Sequence, residues 1–138
     1  MDIKTFFEND RFAKNAGIEL IEARKGYAKA RMQITEMHLN GGDVVQGGAI
    51  FTLADLAFAV AVAVNSHAKL TFSIQSNINF FRSEKIGTIL FAEAKEVFNH
   101  PKICNCEVNI TNSLGELIAT FTGTAFRKDI QLPFKALE

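Results

Sequence analysis

The long apolar run Gly47–Val64 constrains the fold of this chain more than any other part of the sequence, and one carboxylate, Asp55, stands in the middle of it. A helix that is hydrophobic on all sides is a buried helix. A carboxylate buried in such a helix costs free energy unless it is paired, hydrogen-bonded or neutralised. The sequence therefore predicts a buried central helix in which Asp55 has a definite structural or chemical role.

The same run is nearly long enough to span a bilayer. However, it contains two glycines, Thr52 and Asp55, and an ionised carboxylate at the middle of a bilayer is strongly disfavoured. The remainder of the chain alternates as a soluble sheet does. We therefore expect the core helix of a soluble domain with no membrane partner.

The composition excludes several classes of function. The chain has 138 residues, enough for one domain with a real core, and its 15 Lys and Arg residues balance its 15 Asp and Glu residues. A balanced chain has no general attraction for nucleic acid, and we find no phosphate-binding loop, zinc spacing or nucleic-acid motif. We expect a single domain over residues 1–138, with no metal, no cofactor and no nucleic-acid partner.

The cysteines and the first residues indicate the compartment. Cys104 and Cys106 are two residues apart in a strand-like run, so they share a face and are poorly placed to bond to each other. Buried free thiols in a reducing compartment are the expected state. The start Met1-Asp2-Ile3-Lys4 lacks the basic region and apolar core of a secretion signal, so we expect a cytoplasmic protein.

Periodicity divides the chain into a short amphipathic helix, two strands, a loop, the central helix, four strands and a surface tail. These are, in order, Thr5–Asn15, Ile18–Ala23, Tyr27–Ile34, Thr35–Gln46, Gly47–Val64, a strand through Phe72–Phe80, Thr88–Phe98, Ile103–Thr111, Leu117–Phe126 and Asp129–Glu138. Strands that are mostly antiparallel can wrap one buried helix, which gives an α+β domain. Its free sheet edge predicts self-association.

Alternation along the strand after the central helix assigns its side chains to two faces. The predicted apolar face holds Phe72, Ile74, Ile78 and Phe80, and the predicted polar face holds Ser73, Gln75, Asn77 and Asn79. The alternation therefore places Ser73 on a face that is open either to solvent or to another subunit.

The central motif resembles a known signature. Asn40-Gly41, followed by Gln46-Gly47-Gly48-Ala49 and Ala54-Asp55, resembles the hot-dog-fold acyl-CoA thioesterases. It is most similar to the phenylacetic-acid-degradation (PaaI-like) branch of the 4-hydroxybenzoyl-CoA thioesterase superfamily, where a loop Asn precedes a His-Gly-Gly helix start and an Ala-Asp follows. The segments Gly17–Met32 and Gly115–Ala119 resemble the opening and last hairpins of that family, so the resemblance covers nearly the whole chain.

The resemblance implies a hot-dog fold, in which a mostly antiparallel sheet of about six strands wraps one long central helix and a short helix precedes them. It also implies an acyl-CoA thioesterase, which releases a carboxylic acid and coenzyme A. The apolar helix and the 13 Phe residues permit either an aryl-acetyl or an aliphatic acyl group.

The resemblance also implies roles for Gly47 and Asp55. Gly47 corresponds to the glycine whose N–H polarises the thioester carbonyl, and the first N–H groups of a helix do lack intrahelical partners. Asp55 corresponds to the catalytic carboxylate, either nucleophile or general base, and lost hydration raises the basicity of a carboxylate. The alternatives are a glycine required only for a turn, and an aspartate satisfied by neighbouring donors.

Two further polar residues correspond to positions that assist the reaction in the family. Asn40 corresponds to a loop asparagine that helps to fix the thioester, and Ser73 to a serine that orients the attacking water in some members. Asn40 can alternatively form a turn before Gly41-Gly42. Ser73 can alternatively be a solvent-facing or subunit-contact residue.

The remaining candidates are substrate contacts. Gln46 replaces the usual family His, and an amide can form hydrogen bonds but cannot titrate near pH 7. Gln46 and Gly48, which flank Gly47, are therefore candidates for contact with the acyl group. Arg82 and Lys85 are candidates for the phosphates of coenzyme A, with solvated surface charge as the alternative.

Spacing predicts how the two main residues meet. Asp55 follows Gly47 by eight residues, which is about 12 Å along a helix axis. One thioester is therefore unlikely to contact both groups in one subunit. We expect Gly47 of one chain to face Asp55 of another, which agrees with the dimer that the family forms, with a dimer of dimers as a further possibility.

Two other functions remain open on the sequence alone. A hot-dog hydratase or dehydratase also binds acyl thioesters, but such sites generally pair an acid with His, and Gln46 stands at that position. A non-catalytic acyl-thioester-binding module is the second, because function depends on the site and not on the fold.

Overall fold

The structure, a computed structural model, describes residues 1–65 and 67–137. Its elements are α1 (Ile3–Glu8), α2 (Arg11–Asn15), β1 (Ile18–Arg24), β2 (Tyr27–Gln33), a 3-10 turn (Glu36–His38), α3 (Gly47–Ala63), β3 (Lys69–Phe80), β4 (Ile89–Asn99), β5 (Ile103–Thr111) and β6 (Leu117–Gln131).

The strands form one antiparallel sheet in the order β1-β2-β4-β5-β6-β3. Helix α3 packs on one face of this sheet and contacts all of its strands. In the described ranges β3 pairs with β6 alone, so it forms one edge of the sheet. The predicted α+β architecture, a six-stranded antiparallel sheet wrapped around one long helix, is confirmed.

Small side chains in the middle strands allow α3 to approach the sheet closely. The fully buried residues on its helix side are Ala28, Ala30, Met32, Leu90, Ala92, Ala94, Cys104, Cys106, Val108 and Ile110. Both cysteines are free and buried, as predicted. Burial raises the pKa of each thiol, so both remain protonated and unreactive.

An irregularity in β3 lies between Ser73 and Gln75. Ser73 pairs with Ala125 before it, and Ile78 pairs with Phe121 after it. Direct partners in an antiparallel ladder point to the same face of the sheet. Ala125 is buried, and Phe121 packs against Phe58 of α3 with ring centroids 5.8 Å apart. Ser73 and Ile78 therefore both face the helix.

The faces predicted from simple alternation are thus wrong in two respects. Ser73 lies on the α3 side of β3 and not with the polar residues of the outer side. Phe72, which pairs with the exposed Phe126, lies on the outer side and not with Ile78 and Phe80. The extra residue of a bulge exchanges the two faces of a strand, and this exchange leaves no clear mark in the sequence.

Both ends of the chain differ from prediction. Asp10 caps a second helix through its Oδ1, which accepts the Ala13 N–H (3.0 Å), so Thr5–Asn15 contains two short helices in place of one. The tail was predicted on the surface, but β6 continues to Gln131, and Leu132 and Phe134 are buried.

One predicted segment, the tail Asp129–Glu138, extends outside the described residues, at Glu138. The other residue outside them, Ser66, belongs to no predicted helix or strand.

The described ranges 1–65 and 67–137 contain no helix long and apolar enough to cross a membrane. Within the same ranges, no three His, Cys, Asp or Glu side chains are grouped so that they could hold a metal ion.

The C-terminal end of α3 is held by Arg127, whose side chain is fully buried. Its guanidinium donates to the Val62 carbonyl (2.7 Å) and to Glu96 Oε2 (3.3 Å). A cation at this position also suits the negative end of the helix dipole. Because Arg127 pairs with Thr71 of β3, the Lys69 end of β3 lies beside the C-terminal end of α3.

Gly123 of β6 allows Phe58 to lie against the sheet. A Cβ at position 123 would stand 2.8 Å from Phe58 Cε2 and 3.0 Å from Phe121 Cε1. We expect Gly123→Ala to lower the free energy of unfolding by about 1–3 kcal/mol, since a packed core must shift. Denaturant unfolding measures this change. The control is Gly41→Ala, where nothing lies within 4 Å, and equal stability of the two variants would contradict the prediction.

Candidate active site

The loop before α3 is folded by its own backbone and by Asn40. Asn40 Oδ1 accepts the N–H groups of Gly42 (2.8 Å) and Val44 (3.4 Å), and the Gln46 N–H donates to the His38 carbonyl (2.8 Å). Asn40 thus does form a turn. Among the residues described, its Nδ2 has no partner, so that donor is open to a ligand.

His38, which is not one of the predicted site residues, anchors this loop. The side chain is buried; its Nδ1 accepts the Thr35 N–H (2.8 Å) and its Nε2 donates to the Ala16 carbonyl (2.6 Å). These bonds fit a neutral imidazole with its proton on Nε2. The Thr-x-x-His spacing, which forms a capping box here, is the sequence signal that could have revealed it.

The start of α3 presents two adjacent donors. The Ala49 and Ile50 N–H groups bond back to the Gln46 carbonyl (3.0 and 3.4 Å). In the described part of the chain, the N–H groups of Gly47 and Gly48 have no acceptor. Two such groups at the positive end of a helix can stabilise a negative oxygen. Gly47 and Gly48 are therefore suited to an oxyanion.

A Cβ at either position would crowd a neighbouring side chain. A Cβ on Gly47 would stand 3.0 Å from Phe80 Cζ, and a Cβ on Gly48 would stand 2.7 Å from Gln46 Oε1. Phe80, at the end of β3, therefore forms a wall beside Gly47. The Gln46 amide likewise lies over Gly48. No sequence pattern indicates that Phe80 is part of this site, because the contact joins distant segments.

Asp55 is half-buried between the buried Ala54 and Leu56. No hydrogen bond or ion pair reaches its carboxylate from any residue in 1–65 or 67–137. Burial raises the pKa of this carboxyl above its usual range, and the negative charge of Asp10 raises it further. Within a single chain, therefore, no neighbouring donor among the described residues satisfies Asp55.

Ser73 lies on the α3 side of the sheet edge and is exposed. It is thus on the correct face to approach a group on α3 or on a second chain beside β3. Gly47, Gly48 and Phe80 are brought together at one end of α3, whereas Asp55 lies farther along the helix. A single chain therefore does not assemble all the candidate residues around one point.

Arg82 and Lys85 follow β3, near the start of α3. Arg82 Nη1 is 3.1 Å from Glu116 Oε2, so its charge is already paired. Lys85 is exposed, and no ion pair with another described residue is formed. The backbone between them is fixed, because the Val45 N–H donates to the Glu84 carbonyl (2.9 Å).

Comparison with known proteins places this geometry in context. The family model described as "Thioesterase superfamily" matches residues 42–119. An Archaeoglobus fulgidus protein, named only as a candidate esterase, is 39% identical over 92% of this chain and 81% of its own length. The "Acyl-coenzyme A thioesterase PaaI" of Escherichia coli is 33% identical over 88% of this chain and 85% of its own.

Solved structures agree with these similarities. The E. coli PaaI structure has a TM-score of 0.87 at 30% identity and covers 92% of this chain and 91% of its own. A hypothetical thioesterase from Streptococcus pneumoniae, solved with coenzyme A, has a TM-score of 0.84 at 25% identity and covers 93% of this chain and 98% of its own.

Proposed function

Because this chain belongs to the thioesterase superfamily, in its PaaI-like branch, and is a thioester hydrolase, we propose that it acts on acyl-CoA with Asp55 as the reacting carboxylate. The observation that carries the proposal is a half-buried carboxylate without any donor from the described residues. A carboxylate without donors is poorly suited to a structural role, whereas a desolvated one is a better base and nucleophile.

Two routes use these residues, and both place the carbonyl oxygen on the Gly47 and Gly48 N–H groups. In one, an Asp55 oxygen attacks the carbonyl carbon, the C–S bond breaks, and water hydrolyses the resulting anhydride. In the other, Asp55 takes a proton from water, whose oxygen attacks the same carbon. Either route gives a carboxylic acid and free coenzyme A, and the helix N-terminus stabilises the developing oxyanion.

The free edge of β3 supports a dimer in which this site is shared. Ile74 and Phe80 of this edge strand are 59% and 50% exposed. A strand that pairs with itself across a two-fold axis must do so antiparallel. The Phe80 end of β3 lies at the start of α3 and the Lys69 end at its C-terminal end. Self-pairing would therefore bring the partner's Gly47 towards the C-terminal half of α3 and towards Asp55.

The other candidates take supporting roles in this proposal. Ser73, on the α3 side of the paired edge, would orient the attacking water, and Asn40 Nδ2 would donate to the substrate. Gln46 would contact the acyl group beside Gly48. Arg82 and Lys85 would stand near the phosphates, although Arg82 is already paired with Glu116. A dimer of dimers is compatible with the exposed outer face of the sheet.

Gln46 decides between hydrolysis and the alternative reactions. It cannot serve as the titrating partner that a hydratase or dehydratase generally requires, so we favour hydrolysis.

The free cysteines suit a reducing compartment, which supports a cytoplasmic location.

Release of thiol tests the proposal directly. Incubation with a panel of aromatic and aliphatic acyl-CoA thioesters should release free coenzyme A and the acid. A protein that binds acyl-CoA tightly but releases no thiol from any of them would be the non-catalytic binding module.

The pH dependence of the reaction tests whether Gln46 acts as a substrate contact that does not titrate. Since protonated Asp55 is inactive, kcat/KM should rise with pH in one limb, with its midpoint above the usual value for aspartate. We expect Gln46→His to add a second ionisation near pH 6.5, roughly the value for a free His. A second ionisation already present in the wild-type profile below neutral pH would contradict the assignment.

A further inference from the structure

A cavity lies between the two N-terminal helices, the first strand and the central helix. Its volume is about 510 Å³, and pockets for small molecules usually measure roughly 300–1,000 Å³. Its apolar walls come from α1, α2, β1 and α3 and consist of Phe7, Ala13, Ile18, Leu20 and Leu56. Two of these side chains are buried and three are half-buried. We call this cavity the N-terminal pocket.

The N-terminal pocket lies on the α3 side of the sheet. Ile18 and Leu20 of β1 pair with Met32 and Ala30 of β2, which are fully buried against α3. Direct partners in an antiparallel ladder point to the same face. The walls that β1 contributes therefore face the helix that carries Asp55.

One wall of the pocket adjoins the proposed reacting carboxylate. Leu56, which lines the pocket, directly follows Asp55 on α3, so their Cα atoms are about 3.8 Å apart. Helix α2 lies beside both, because Ala13 lines the pocket and the charge of Asp10, the N-cap of α2, acts on the Asp55 carboxyl. An acyl group whose carbonyl carbon lies at Asp55 can therefore extend into the pocket.

The proposed dimer leaves the pocket open. It pairs the β3 edge, whereas β1, which the N-terminal helices contact, is the opposite edge of the sheet. The partner's Gly47 would approach Asp55 from the β3 side, and the N-terminal pocket adjoins Asp55 from the β1 side. The thioester would lie between the two chains, with its acyl group in the pocket of the chain that supplies Asp55.

The lining of the pocket favours an acyl group without charged or polar substituents. Lys4, Glu8, Lys14 and Glu19 are exposed at its rim, two of each sign, so the rim has no net charge. The remaining lining residues are apolar side chains and Gly17. A hydroxyl or carboxylate buried against these walls would lose its hydration without gaining a partner. The pocket is therefore suited to a plain hydrocarbon.

The size of the pocket distinguishes a chain from a ring. A phenylacetyl group is compact and rigid, so it would leave much of the 510 Å³ unfilled, and walls that face unfilled space lose their contacts. A flexible aliphatic chain can extend along all four walls. Each further methylene that leaves water for the pocket strengthens binding.

We propose that the N-terminal pocket holds the acyl chain of the substrate, that the substrates are thioesters of medium-length aliphatic acids, and that Leu20 limits the accepted chain length. This inference rests on the proposed function. It goes beyond it because it chooses between the aliphatic and the aryl-acetyl groups that the sequence leaves open.

A series of straight-chain thioesters, from acetyl-CoA to decanoyl-CoA, tests the pocket. In the wild type, kcat/KM should rise roughly fourfold for each methylene that the pocket buries and then level off. Octanoyl-CoA should be a better substrate than phenylacetyl-CoA, which has the same number of acyl carbons. A preference for phenylacetyl-CoA, or a kcat/KM that does not depend on chain length, would overturn the inference.

Leu20 allows the volume of the pocket to be changed in both directions. Leu20→Trp fills it, so the ratio of kcat/KM for octanoyl-CoA to that for acetyl-CoA should fall roughly tenfold or more. Leu20→Ala enlarges it and should move the preferred length towards decanoyl-CoA. Ile21→Trp is the matched control, because Ile21 is 48% exposed and lies outside the lining; its length profile should equal that of the wild type.

The length profile, expressed relative to acetyl-CoA, separates an effect on the pocket from a general loss of folded protein. Misfolding lowers the rates for all chain lengths by one factor and leaves the profile unchanged. A shift in either Leu20 variant, in the direction given above, supports the inference. Unchanged profiles in both variants would overturn it.

Failure of the proposed function gives a different result. A wild-type protein that releases no thiol from any of the thioesters contradicts the function. Calorimetric titration then still tests the pocket, because octanoyl-CoA should bind more tightly than acetyl-CoA by roughly fourfold for each buried methylene, and Leu20→Trp should reduce that difference. Equal affinities of the wild type for the two thioesters would overturn the inference.

Discussion

Replacing Asp55 by Asn is expected to lower kcat for acyl-CoA by roughly 10²–10⁴-fold, the range for loss of a catalytic acid or base. Asparagine has nearly the same shape, so it preserves the packing of α3, but it can neither accept the proton of water nor form the anhydride. The measurement is thiol release at saturating acyl-CoA. A variant that retains wild-type turnover would show that Asp55 is not the reacting group.

The same variant should be at least as stable as the wild type at neutral pH, which separates loss of chemistry from loss of fold. Burial raises the pKa of Asp55 in the folded protein, so the folded state binds the proton more tightly than the unfolded state. Stability therefore falls as pH rises through this raised pKa, and Asp55→Asn removes that fall. The melting temperatures of the two proteins should converge in acid, and a variant that is much less stable at neutral pH would indicate a structural role.

Replacing Gly47 by Pro is expected to reduce kcat by roughly 10²–10³-fold, as removal of one oxyanion donor does. Proline deletes the N–H at the first helical position, where helices tolerate it best. Gln46 already has the extended backbone that must precede a proline (φ −73°, ψ 141°). The substitution therefore removes a donor with little change to the helix.

Gly47→Ala is the matched control. Alanine keeps the N–H but introduces the same Cβ, 3.0 Å from Phe80 Cζ. The difference in kcat between the two variants isolates the contribution of the N–H from that of the crowding. If alanine and proline reduced kcat equally, Gly47 would be required for space beside Phe80 and not for its donor.

The features that the sequence predicted correctly depend on local patterns. The apolar run that begins at Gly47 predicted α3, and alternation predicted the strands of the sheet. The motif around Gly47 and Asp55 placed the chain in its family because those residues are close in sequence. Burial of Cys104 and Cys106 followed from the usual burial of free Cys, and their two-residue spacing placed both on one face of a strand.

The features that it did not predict depend on contacts between distant segments. The irregularity after Ser73 exchanges the faces of β3, and simple alternation cannot register an extra residue. Phe80 meets Gly47, and His38 reaches Ala16, only because the fold brings those segments together. The burial of Phe134 in the tail likewise depends on its packing against Phe6.

Mixed dimers test the shared site most directly. Asp55→Asn and Gly47→Pro are each expected to be nearly inactive alone. If Gly47 of one subunit acts with Asp55 of the other, a mixed dimer contains one intact site, and random mixing should restore about a quarter of the wild-type rate. If the two residues act within one subunit, every site carries a substitution, and the mixture would remain as inactive as its components.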